Sequence, residues 1–222
     1  MTVARDTTPT GRAAASRGVR VADAASRALG RWGVPAAIAG ALAASLAQLV
    51  DYSAFGLRIR MLDMDTHASV FGVVSLLALL AALAVATLLA VERTTRTRAS
   101  VLLPWLLTGL LALRVLHPAH VIVFALAPAA ATLVILWRDT GAPRSYARRL
   151  IRAGCVVLLG SYAVHAFGGS AVSSLGSGTG SWAYQVELTI RHSAELAGWT
   201  LVAAGLASIY TAARGDAPAS PA

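Results

Sequence analysis

Residues 63–91 read DMDTHASVFGVVSLLALLAALAVATLLAV. The stretch opens on Asp63, Asp65 and His67, runs from Ala68 to Val91 without a charge, and ends at Glu92-Arg93. An uncharged apolar run of more than about 18 residues predicts a transmembrane helix. The acids and His67 then lie at one membrane face. Arg93, Arg96 and Arg98 lie at the other.

The composition agrees. Of 222 residues, 57% are hydrophobic and 13% charged, and the mean hydropathy is +0.66. Soluble domains carry about twice that share of charge. All 19 basic residues are arginine, which together with the alanine content suggests a GC-rich bacterial genome. The net charge of +9 does not indicate nucleic acid. Six arginines precede Trp32 and most others fall in short loops between apolar runs, the distribution of segments facing an anionic bilayer surface. The single cysteine, Cys155, rules out an intrachain disulfide and a cysteine-based metal site.

Outward from the decisive span, the remaining apolar runs predict an all-α, polytopic bundle of six transmembrane helices over residues 32–50, 68–91, 101–116, 119–137, 153–167 and 186–210. The first run has the length of a retained anchor rather than of a signal peptide's core. Residues 101–137 form one run of 37, about 55 Å as a helix against a hydrocarbon core of about 30 Å. Leu116-His117-Pro118-Ala119-His120 divides it, because proline cannot continue a helix and restricts the residue before it. Residues 1–31 lack large apolar groups and read as a disordered basic arm, with a short surface helix over 21–29 as the alternative. Residues 138–152 read as a basic loop, 168–181 as a flexible Gly/Ser loop, and 213–222 as a polar tail.

Arginine bias sets the orientation. With six spans and the N-terminus inside, fifteen arginines lie on the inner side, and only Arg58, Arg60, Arg114 and Arg191 on the outer. Both termini are then cytoplasmic and the host is a bacterial inner (plasma) membrane.

All five histidines fall in the outer half. So do Asp51, Asp63, Asp65, Glu187 and Glu195. Helix rise places Arg114, His165 and Glu195 about 20 Å above the inner boundary, a depth at which ionisable groups face a bundle interior and have partners. Asp63, Asp65, His67, His117, His120, Glu187 and His192 form an upper layer at the outer mouth. In the last helix Glu187, Arg191 and Glu195 recur every fourth residue, on one stripe, with His192 beside it.

Three readings follow. An outward-facing polar cavity with Arg114 and Arg191 binds or transports a small anion, an ion or a lipid headgroup, with protons moving among His165 and Glu195. A divalent metal held by His165, His192 and Glu195 makes a hydrolytic site, although no HExxH motif is present. An ion-pair clamp joins Arg114 to Glu195 and Glu187 to Arg191, and the chain is structural or an accessory subunit for another membrane protein. The residues assign no enzymatic activity. Gly176–Gly180 lacks the lysine and strand of a phosphate-binding loop.

The acidic lead-in LDMDTHASVF, the histidine-ended third span and the Glu-rich VELTIRHSAELAGW resemble a group of uncharacterised bacterial, chiefly actinobacterial, multi-pass membrane proteins. That resemblance covers about residues 51–210 and implies the topology and the interest of Asp63, Asp65, Glu187 and Glu195. The seven-helix ceramidase and adiponectin-receptor zinc hydrolases carry HxxxH in their last helix. This chain has HSAE there and one span fewer.

Overall fold

The computed structural model describes residues 9–56, 59, 61–62, 69–92, 97–116, 122–138, 145–174 and 181–215. They form six α-helices: α1 Pro9–Val50, α2 Val70–Val91, α3 Arg98–Leu116, α4 Ile122–Arg138, α5 Ser145–Ser174 and α6 Trp182–Gly215. A π-helical turn, Asp51–Phe55, extends α1, and no strand occurs among the described residues. Four helices, α1, α2, α5 and α6, are long and apolar enough to cross a membrane. The shorter α3 and α4 are also apolar.

The bundle is built around α6, which packs against α5, α1 and α2. The α3 helix joins through α2, and α4 through α3 and α5. Sixteen residues of α6 are buried, Trp199 among them. Small residues make this packing close. A Cβ on Gly154 of α5 would lie 2.8 Å from the Gly198 carbonyl oxygen of α6. One on Gly198 would lie 2.6 Å from Leu158, and one on Gly33 of α1 would run into the Ala204 side chain. Helices within a bilayer gain their attraction from such backbone proximity, since lipid is as apolar as their side chains.

Several boundaries depart from the sequence expectation. The break after Leu116 is present: α3 ends there and α4 starts at Ile122. The arm expected over residues 1–31 is instead helical from Pro9, continuous with the first span. The alternative helix over residues 21–29 is thus part of a 42-residue element. Its partner is the C-terminal end of α6. Ser26 is buried, Gly30 abuts Ser208, and Asp23 accepts hydrogen bonds from Tyr210 and Arg214 at 3.2 Å each. Tertiary contact, invisible in local composition, orders it.

Likewise α5 begins at Ser145 inside the expected basic loop. It continues to Ser174, into the first half of the segment read as flexible, whose residues 175–180 lie outside the described residues. Asp51, read as a loop residue, is buried in the π turn. That turn ends on Gly56 at φ 60°, a left-handed conformation that glycine adopts without steric cost.

Candidate functional site

The charged stripe on α6 faces α5 and the end of α3. Arg114, in the last turn of α3, forms an ion pair with Glu195 across the helix gap. Glu195 Oε2 also lies 3.9 Å from His192 Nδ1. One turn nearer the N-terminus of α6, Arg191 donates to His165 Nδ1 of α5 and to His192 Nε2, each at 2.9 Å. Its nearest carboxylate in this stripe is Glu187, at 4.0 Å. Gly168 of α5 makes room for that carboxylate, because a Cβ there would lie 2.6 Å from Glu187 Cγ. Ser161 donates to the Arg191 carbonyl at 2.8 Å, which pins α5 to α6 at the centre of the group.

These contacts fix protonation. A guanidinium has donors and no acceptor, so each imidazole nitrogen facing Arg191 accepts and carries no proton. The proton of His165 then sits on Nε2. That of His192 sits on Nδ1, on the side of Glu195. Both rings are neutral in this arrangement. The sequence therefore brings together six of its candidates: Arg114, His165, Glu187, Arg191, His192 and Glu195. Asp63, Asp65, His67, His117 and His120 lie outside the described residues.

The network does not have the form of a metal centre. No group of three His, Cys, Asp or Glu side chains poised to hold a metal occurs among the described residues. His165 and His192, offered as ligands with Glu195, are bridged by Arg191. The guanidinium takes up one nitrogen of each ring and brings a positive charge against any bound cation.

Sequence reasoning missed a second polar layer, between α1 and α6. Gln48 donates to Gln185 at 2.7 Å, both buried. Ser45 and Ser193 share a hydrogen bond of 2.9 Å, and Thr189 donates to the Gln185 carbonyl. The signal was present as spacing. Ser45, Gln48 and Asp51 recur every third residue, and Gln185, Thr189 and Ser193 every fourth, which places each set on one helix face. Uncharged polar groups do not interrupt hydropathy as charges do, so the pattern is easily read as plain span.

No protein-family profile, curated protein or solved structure matches this chain.

Proposed function

We propose that this chain is a six-span bacterial plasma-membrane protein with cytoplasmic termini, whose outer-side network on α6 binds a small anion through Arg191. The observation that carries the reading is the unequal pairing of the two arginines. Arg114 has Glu195 in direct contact. Arg191 is held by two neutral rings, with Glu187 only at the edge of ion-pair range, and its side chain is 22% exposed. A guanidinium oriented by neutral acceptors keeps its charge available to a carboxylate or phosphate, which it can meet with two donors. Intramembrane ionisable groups mark ligand or ion sites as a rule. The chemistry is shared by free anions and lipid headgroups, and the kinship with actinobacterial multi-pass proteins belongs to the same proposal.

The test is the unfolding midpoint of the detergent-purified chain with inorganic phosphate, succinate and a short-chain phosphatidylglycerol. At least one should raise the midpoint of the wild type and leave that of Arg191→Gln unmoved. A response confined to the lipid identifies a headgroup site. A rise of equal size in Arg191→Gln, or none in the wild type, overturns the reading.

A second reading, an interhelical clamp, is favoured by the Arg114–Glu195 ion pair. Under it the network holds α3 and α5 to α6 and binds nothing. The metal-dependent hydrolase reading loses support from the position of Arg191 between the two histidines.

A further inference from the structure

Among the described residues, two buried polar side-chain atoms have no hydrogen-bond partner: Asp51 Oδ2 and Ser75 Oγ. A hydroxyl without a partner is a modest loss, whereas a carboxylate oxygen withdrawn from water is a large one. Asp51 is 0% exposed. Its Oδ1 accepts from the Ile59 amide at 3.2 Å, and its Oδ2 accepts from nothing.

The surroundings increase the need for a positive partner. Asp51 follows the last residue of α1, and neither the last turn of that helix nor the π turn carries a basic residue. A helix C-terminus bears partial negative charge on its outward carbonyls. A carboxylate placed there is opposed by that field unless a cation joins it. Gln48 and Gln185, buried about one turn deeper, keep this end of the α1–α6 seam polar.

From these observations we infer that Asp51 anchors a site for a hard monovalent cation, sodium or potassium, at the outer end of α1. The ligand identified among the described residues is a carboxylate, a hard oxygen donor that suits an alkali or alkaline-earth ion rather than zinc. One carboxylate balances one positive charge. Interrupted helices whose C-terminal ends and freed carbonyls face a polar pocket hold alkali ions in this way, and π turns cluster at such functional places. The site is separate from the Arg191 network, so its failure leaves the anion reading standing.

The experiment follows the unfolding midpoint of the full chain in nanodiscs as choline chloride is replaced by sodium or potassium chloride at constant ionic strength. For a dissociation constant of about 10 mM, moving from about 1 to about 150 mM should raise the wild-type midpoint by about 3–6 °C. Asp51→Asn should abolish the rise, and Arg58→Gln/Arg60→Gln should keep it. A wild type indifferent to both cations overturns the site, as does an undiminished rise in Asp51→Asn. So does an ion-independent loss of stability in the double arginine variant, which would identify a guanidinium as the partner. Should Asp51→Asn fail to fold, binding of radioactive sodium and of rubidium, as a potassium stand-in, to the wild type decides: saturable binding of either supports the site, and none of both overturns it.

Discussion

Glu195 joins three helices in effect, because its carboxylate meets Arg114 of α3 while His192 on its own helix is held through Arg191 to His165 of α5. An ion pair between helices within a bilayer should couple energetically more than an exposed one, since either partner alone is left in a poor solvent. Glu195→Gln and Arg114→Gln should each lower stability to unfolding in detergent. The double variant should lose less than the two added together, with a coupling of about 0.5–2 kcal/mol. Additive losses would show that the pair does no work in the bundle. This pair was legible in the sequence, because counting helix rise set both residues at one depth and their charges were opposite. The roles of the histidines were not. Which nitrogen faces Arg191 depends on helix rotation and side-chain conformation, and His-x-x-Glu spacing reads equally well as a metal half-site.

The seam between α5 and α6 rests on glycines more than on large side chains. Gly154 and Gly198 sit where a Cβ would press on the opposing carbonyl or on Leu158 at under 3.0 Å, and the backbone cannot give way without parting the helices. Gly154→Ala should therefore cost about 1–3 kcal/mol, the range for overpacking a tight interface. Gly109 of α3 and Gly160 of α5 have nothing within 4 Å of an added Cβ. Alanine there should be neutral or stabilising by about 0.5–1 kcal/mol through helix propensity. Equal losses at Gly154 and Gly160, measured by the same unfolding assay, would contradict close packing as the basis of the seam. Apolar runs reveal that helices exist, and Pro118 revealed where one run divides. They do not reveal ends that are set by a partner. The ordered length of α1 below Trp32 depends on Ser26, Gly30 and Asp23 meeting α6, and nothing in the local composition of residues 9–31 announces that meeting.

At the scale of the whole molecule the open quantity is the number of crossings, since α3 and α4 are shorter than the four clear spans. Their lengths of 19 and 17 residues correspond to about 28 and 26 Å, close to a hydrocarbon core of about 30 Å. The ion pair supplies an independent measure. Glu195 lies 15 residues before Tyr210, and Arg114 lies 16 residues after Arg98, rises of about 23 and 24 Å from what the arginine bias reads as the inner face. Their meeting sets the C-terminal end of α3 at the depth of Glu195, which favours an inserted hairpin over a pair of helices lying on the surface. Both termini fall on one side whether the chain crosses four or six times, so terminal tags cannot decide. The link between α3 and α4 can. In a Cys155→Ser background, a cysteine at Ala119 should react with a membrane-impermeant maleimide added outside intact cells, and one at Thr97 should react only after permeabilisation. Protection of the Ala119 cysteine until permeabilisation would leave α3 and α4 on the inner side, reduce the crossings to four, and move Arg114 alone to the inner side of the arginine count.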